Sequence, residues 1–363
     1  MFRSLLLTTL SLLFLACAVH GPSDERGLDD SDDGTGAGES VGTGPKLPSS
    51  GAGGSVASGG SAGTPQSATG AVGATSSGAT SAQTSTGSGG AGGCYTEAYD
   101  TSVSLADLKN GYQGSQWLPT MLTVLDRRYA NGHHLLETMK NDPWLSGSLP
   151  QYFNMSNWTG LMEAIDTACH EETHGYDFDE ALNTPGQHVY FMGTTKSATV
   201  SKLSFFARNE ILSMAQQGGS VTSIYDSTYL MGTSGSYDFI FLGDELNAYI
   251  IGLACATSVG DHITGGHSFR DGVAAHLYYL QLYLQRARTL YPSLYATWKA
   301  SPSWQAFIRY SWARAHYWTK ESKKFQGLGI NDQAIWQRVN QPVLLDEIQL
   351  FTGEQPTVVA CSP

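Results

Sequence analysis

Residues 17–93 contain no phenylalanine, tryptophan or tyrosine. This stretch instead holds 21 of the chain's 42 glycines, mixed with serine, threonine and alanine. Such a composition cannot bury enough apolar surface to offset the conformational entropy lost on folding. We therefore expect residues 18–93 to form a disordered tether rather than a domain. Residues 94–363 carry 37 of the 39 aromatic residues, and their length suffices for one large domain.

Charged residues make up only 14% of the chain, and the basic ones are the scarcer kind. Lysine and arginine number 20 against 32 aspartates and glutamates, which gives a formal net charge of -12 at pH 7. This balance argues against binding to nucleic acid, because phosphate backbones attract basic surfaces. Repeated membrane-spanning runs are also missing, which excludes a polytopic membrane protein. We expect a monomer whose partners are neutral or cationic molecules, or peptides.

The N-terminus reads MFRSLLLTTLSLLFLAC, with an apolar run over residues 5–16 that is too short to span a bilayer. It resembles a bacterial lipoprotein signal, with Phe14 in place of the usual leucine. The resemblance implies cleavage before Cys17, diacylation of Cys17 and a lipid anchor in a membrane. Ala18 is not the aspartate of inner-membrane retention, which favours an outer-membrane lipoprotein facing the periplasm or the cell surface. The alternative is an ordinary secretory signal that is cut nearby.

Apolar periodicity predicts a mainly helical domain with little sheet, which is a mainly α (α+β) class. Helices are expected over residues 118–140, 158–174, 205–216, 244–256, 268–288, 303–320 and 332–351. Asn157 is expected to cap the second of these helices, and Gly175 to end it. Residues 188–200, HVYFMGTTKSATV, predict two short strands around a turn. Residues 221–240 predict a loop, and the last helices predict a helical C-terminal lobe.

The sharpest motif is ACHEETHGYD at residues 168–177, which contains the pattern HExxH. On a helix, His170 and His174 lie one above the other on the same face, because they are four residues apart. Two neutral imidazoles placed in this way can bind one zinc ion. Glu171, next to the first histidine, is then in reach of a water on the metal and can act as its general base.

A catalytic zinc site needs a third protein ligand. Glu245 is the favoured candidate, because it interrupts the apolar run FIFLGDELNAYIIGLACA, where an unpaired carboxylate is costly. Ala248 and Gly252 share its helical face and would let a second helix approach closely. Three other carboxylates stay open as the third ligand, namely Asp244, Asp177 and Glu180.

An HExxH followed by a glutamate 71 residues after the second histidine resembles the gluzincin branch of the zincin metallopeptidases. The resemblance implies a zincin-like catalytic domain over residues 94–363 that holds one Zn²⁺. It also implies His170, His174 and Glu245 as the zinc ligands. Tyr249 stands where the thermolysin-like pattern has an aspartate, four residues after the ligand glutamate. Asp244 is then expected to orient a ligand histidine instead.

Four cysteines lie in the folded part, and an even number in an exported chain suggests two disulfides. No CxxC pair occurs, which argues against a thioredoxin-like site and a cysteine-based zinc knuckle. If Glu245 is a ligand, its helix packs on the HExxH helix and brings Cys169 near Cys255. Cys94 and Cys361 would then join the two ends of the domain. The sequence alone leaves three connectivities open.

Zincins also supply a hydrogen-bond donor that stabilises the oxyanion of the reaction. Tyr237, eight residues before Glu245, is the first candidate for this donor, and His267 is the alternative. The chain has no GxSxG motif and no phosphate-binding loop. We therefore expect zinc-dependent hydrolysis of peptide bonds, with a protein or peptide as the substrate. The alternative is a non-catalytic binding or adhesion lipoprotein with an incidental or decayed HExxH.

Overall fold

The computed structural model describes residues 95–356. The predicted lipoprotein signal with Cys17, the tether and the pair Cys94–Cys361 lie outside the described residues and stay predictions. All described residues belong to one compact unit.

Helices dominate the described region, as predicted. In chain order they are α1 (Ala106–Gly111), α2 (Trp117–Arg128), α3 (Ala130–Met139), α4 (Leu149–Tyr152), α5 (Trp158–Asn183), α6 (Leu212–Gln217), α7 (Ser223–Tyr225), α8 (Gly232–Gly235), α9 (Phe239–Ser258), α10 (Phe269–Leu290), α11 (Pro292–Lys299), α12 (Pro302–Ser322), α13 (Asp332–Val339) and α14 (Pro342–Thr352). Short 3₁₀ or π-helical turns connect several of them, at Gly114–Gln116, Trp144–Ser148, Arg208–Ile211, Ser220–Thr222, Asp226–Leu230 and Gln326–Leu328.

The small sheet is an antiparallel hairpin of β1 (Gln187–Gly193) and β2 (Lys196–Ser201), in agreement with the sequence. Its register pairs Tyr190 with Ala198. Gly193 has a φ of 145° where the chain turns between the strands, a conformation that a residue with a side chain rarely adopts. Beyond its first residue β1 is buried, because it packs against α5 and α9. The hairpin therefore lies beside the two central helices.

Helix α9 runs through the core and contacts α5, α10 and α12. It is long and apolar enough to cross a membrane by length and composition, but 83% of that stretch is buried inside the protein. We therefore interpret it as a core helix. The side chain of Asp238 caps its first turn by accepting a hydrogen bond from the Ile240 amide at 2.9 Å. A Cβ at Gly252 would lie 2.7 Å from Oδ1 of Asp166, so this glycine allows the expected close approach of α5.

Several predicted boundaries are wrong. Residues 221–240, predicted as a loop, contain short helical segments and the first residues of α9, which begins five residues earlier than predicted, and the helix predicted over 205–216 begins only at Arg208, as a 3₁₀ turn. Helix α5 continues past Gly175, which does not adopt the left-handed conformation of a helix-ending glycine and instead lies against α3: a Cβ there would lie 2.9 Å from Cε of Met139. The helix predicted over residues 118–140 is interrupted at Tyr129, whose backbone is extended with φ -154° and ψ 92°. The last predicted helix is divided before Pro342, since proline disfavours helical conformation in the residue before it.

The first described residues are fixed to α12 through a buried carboxylate. Glu97 accepts hydrogen bonds from the hydroxyl groups of Tyr95 and Tyr129, both at 2.5 Å. It also accepts from Nε of Arg314 at 3.2 Å and from the indole of Trp318 at 2.9 Å. The Arg314 side chain is 0% exposed and that of Glu97 is 6% exposed. Burial would raise the pKa of Glu97, but Arg314 and the tyrosine hydroxyls hold it below its usual value.

Candidate metal centre

Helix α5 presents the two histidines of the HExxH motif on one face. Asn157 caps this helix, as predicted, because its side chain accepts a hydrogen bond from the Gly160 amide at 2.9 Å. The Nε2 atoms of His170 and His174 lie 3.2 Å apart. The four-residue spacing therefore brings one nitrogen of each ring to the same point.

Glu245 of α9 completes the cluster. Its Oε2 lies 3.7 Å from Nε2 of His170 and 3.5 Å from Nε2 of His174. Two ligand atoms bound tetrahedrally to one zinc ion at about 2.0–2.2 Å lie roughly 3.3–3.6 Å apart, so these separations fit one ion. Oε2 of Glu245 is buried and has no hydrogen-bond partner among the described residues, although a buried carboxylate oxygen needs a positive neighbour. The three side chains therefore fit a zinc ion in geometry and in donor chemistry.

The electrostatics of the three side chains also favour a cation. Burial, reinforced by the neighbouring His174, lowers the pKa of His170 to about 3. Burial would lower the pKa of His174 as well, but Asp244 and Glu245 raise it well above its usual value. Burial would raise the pKa of Glu245, but His174 lowers it to about 2. The carboxylates thus hold positive charge on His174, and a dication that displaces this proton would take over the same role.

The three other candidates for the third ligand lie outside this cluster. Oδ2 of Asp244 is 2.7 Å from Nδ1 of His174, so it contacts the far side of the ring and fixes its orientation. Asp177 is fully buried and accepts a hydrogen bond from the Phe191 amide at 2.5 Å. Neither Asp177 nor Glu180 belongs to the group of ligand atoms formed with His174.

Glu171, the expected general base, is buried next to the cluster. Its Oε2 has no hydrogen-bond partner among the described residues. Burial raises the pKa of Glu171 to about 8, although the nearby His174 acts in the opposite direction. Glu171 lines the same pocket as His170, so the candidate base and a candidate ligand face a common space. A carboxyl group whose pKa lies near neutrality is suited to accepting and returning a proton.

This pocket is a cleft with acidic and aromatic walls. It is lined by Asp166, Thr167, His170, Glu171, Ile224, Tyr225, Thr228, Tyr229, Tyr249, Ser268 and Phe269. The ring of Tyr249 meets the ring of His170 edge-on, with centroids 4.6 Å apart. Its hydroxyl lies 2.7 Å from that of Tyr229. Burial also raises the pKa of Asp166, one helical turn before His170, to about 8.

The two predicted oxyanion donors do not line this cleft. Tyr237 stacks on Phe241 with centroids 4.7 Å apart, and its ring lies 5.6 Å from the guanidinium of Arg208. His267 stacks on Phe269 and approaches Glu163 at 3.9 Å. Sequence reasoning missed Tyr229 and Tyr249 as wall residues. For Tyr249 a signal was present, because it lies one helical turn after Glu245 and so shares its face.

A disulfide joins the two helices that supply the candidate ligands. The sulfur atoms of Cys169 and Cys255 lie at bonding distance, with their Cα atoms 6.6 Å apart. This agrees with the predicted pairing. Cys169 directly precedes His170, and Cys255 lies on α9, ten residues after Glu245. The crosslink therefore lies at the interface that brings the ligands together.

Comparison with known proteins gives no information on the function of this chain. No protein-family model, no curated protein and no solved structure matched this chain. The functional assignment therefore depends on the residues of the site.

Proposed function

We propose that this chain is a zinc-dependent peptidase with a zincin-like domain of the gluzincin type. His170, His174 and Glu245 would hold one Zn²⁺, and Glu171 would serve as the general base. The observation that carries the proposal is the convergence of three ligand atoms at 3.2 Å, 3.5 Å and 3.7 Å. Zinc bound by these residues would acidify a water molecule and polarise the scissile carbonyl group.

The side chains of the site would each have a separate role. Asp244 holds Nδ1 of His174, which directs Nε2 of that ring towards the other ligands. Glu171 would take a proton from the attacking water and return it to the leaving amine, as its position in the cleft allows. The cleft beside them would receive the peptide substrate.

The stabiliser of the oxyanion is proposed from the Tyr229–Tyr249 pair, because Tyr249 contacts His170 and lines the cleft. Tyr237 is the competing candidate. We expect Tyr249→Phe to lower kcat by about 100-fold with little change in KM, as loss of one oxyanion donor does elsewhere. Tyr237→Phe is the matched control. A loss of kcat in Tyr237→Phe alone would return the role to that residue.

The expected setting follows from the N-terminal sequence. We propose an exported, lipid-anchored outer-membrane protein that acts as a monomer on proteins or peptides in the periplasm or at the cell surface. The net charge of -12 makes nucleic acid an unsuitable partner.

The test is metal analysis and digestion of a peptide library with the purified full chain. We expect zinc in the wild type and in Glu171→Gln, and the loss of one equivalent in His170→Ala. Glu171→Gln should lower kcat by at least about 100-fold, since it removes the general base. Glu172→Gln is the matched control, because it makes the same change one residue along α5 outside the cleft lining. Zinc binding without hydrolysis would refute the peptidase, and peptide binding without zinc would support the adhesion alternative.

A further inference from the structure

A second group of candidate ligands lies behind His174, away from the cleft. It consists of Asp177 on α5, His188 on β1 and Asp244 on α9, whose ligand atoms all lie within 4.8 Å of one another. Asp244 separates the two groups, because its Oδ2 contacts Nδ1 of His174. None of the three is needed as a ligand of the first site.

The surrounding structure fixes two of these side chains. Asp177 accepts the Phe191 amide through Oδ1 and the side-chain amide of Asn247 through Oδ2, at 2.5 Å and 3.2 Å. The same Asn247 amide donates to the Phe191 carbonyl at 2.9 Å. The ring of His188 packs against Tyr190, with centroids 4.5 Å apart. The position of the group is thus set by where β1 crosses α5 and α9.

Two buried polar atoms of this group, and one of the neighbouring Asn247, have no hydrogen-bond partner among the described residues. Nε2 of His188, Oδ1 of Asp244 and Oδ1 of Asn247 are buried without a hydrogen bond among the described residues. His188 is only 8% exposed to solvent, and Asp177 is 0% exposed. Buried polar atoms are normally paired, so the unpaired atoms of His188 and Asp244, side by side, indicate a missing partner.

The missing partner must be positive and must reach all three side chains. Two buried carboxylates next to each other repel unless a proton or a cation lies between them. A proton shared by Asp177 and Asp244 would satisfy those two groups but would leave Nε2 of His188 without a partner. A cation accepts lone pairs from both carboxylates and from the imidazole together.

We propose that Asp177, His188 and Asp244 form a second site, which binds a divalent first-row metal ion. Two carboxylate oxygens and one imidazole nitrogen suit Zn²⁺ or Mn²⁺ better than Ca²⁺ or Mg²⁺, which prefer oxygen ligands alone. The second site shares a contact with the first site through Asp244. An ion bound there would fix Asp244, which in turn orients His174. The inference does not depend on peptidase activity.

The experiment counts metal ions in the purified full chain after dialysis against Zn²⁺ alone or Mn²⁺ alone. We expect two equivalents in the wild type, with one lost in His188→Gln and the other lost in His170→Ala. His133→Gln is the control, because it replaces a histidine that belongs to neither group. Mn²⁺ bound to His170→Ala should give a protein-bound EPR signal that the additional change His188→Gln removes.

Two results would overturn the second site. One is a wild type that binds a single equivalent of metal ion, which His170→Ala abolishes. A proton shared by Asp177 and Asp244 would then account for the second group without a metal ion. The other is a second equivalent that persists in both His188→Gln and Asp177→Asn. Circular dichroism checks the fold of each variant. If Asp177→Asn does not fold, the metal count of His188→Gln alone decides the test, because that variant keeps the hydrogen bonds of Asp177. Two equivalents without hydrolysis would refute the peptidase and leave the second site standing.

Discussion

Reducing the disulfide between Cys169 and Cys255 should destabilise the domain by an amount set mainly by chain entropy. The two cysteines are 86 residues apart in sequence. For a loop of this length the chain-entropy relation gives about 4.6 kcal/mol at 25 °C, and measured values commonly fall to about 2–4 kcal/mol. Both side chains are fully buried, so an Ala/Ala double variant would add a packing loss of its own. Reduction of the native pair is therefore the cleaner perturbation.

The assay is urea unfolding followed by tryptophan fluorescence, with and without reductant. The variant Cys94→Ala/Cys361→Ala serves as the background, so that only the α5–α9 disulfide responds to the reductant. With a slope of about 3 kcal/mol per molar urea, a loss of about 2–4.6 kcal/mol lowers the midpoint by roughly 0.7–1.5 M. A midpoint that moves by less than about 0.3 M would refute the reasoning, because the crosslink would then not restrict the unfolded chain.

Further predictions concern the buried charges. Glu97→Gln should lower the free energy of unfolding by about 3–5 kcal/mol, because it leaves Arg314 buried without its counter-charge. Urea unfolding measures this change, and a loss below about 1 kcal/mol would contradict the prediction. Since the pKa of Glu97 is held below its usual value of 4.5, its contribution is present above pH 4.5 and is lost as the pH falls below it. The wild type and Glu97→Gln should therefore converge in stability on acidification, and a gap that persists in acid would disprove this. Asp244→Asn should weaken zinc binding about 10–100-fold, because it no longer orients His174 as a carboxylate does. Chelator competition in a His188→Gln background isolates the first site, and a change below about twofold would argue against the role of Asp244.

The parts of the site that depend on local spacing could be predicted from the sequence. His170 and His174 meet because four residues make about one helical turn. Glu245 was recognisable because a carboxylate in an apolar helix needs a partner. These inferences need only the geometry of a single helix, together with one contact between two helices.

Other features depend on packing that spacing does not encode. Gly175 resembles a helix end in the sequence, yet the approach of α3 makes it a packing position in the helix interior. Tyr229 and Tyr249 are 20 residues apart, and their hydroxyl and ring contacts depend on the tertiary fold rather than on spacing along one helix. His188 alternates with its neighbours on β1, but the partners of its ring depend on where the hairpin crosses two distant helices. Such long-range arrangements lie beyond what residue periodicity can express.

The hydrogen bonds of Glu97 have a mechanical consequence for any force that enters the described region at its first residues. A force applied through the residues before Tyr95 first reaches the Glu97 carboxylate, which accepts hydrogen bonds from five side chains, among them those of Arg314 and Trp318 on α12. The load therefore passes into α12 and into Tyr129 and Asn131 at the start of α3 before it reaches the helices that carry the candidate metal ligands. Such a force would therefore strain the hydrogen bonds of Glu97 before it changed the spacing of the two histidines and Glu245.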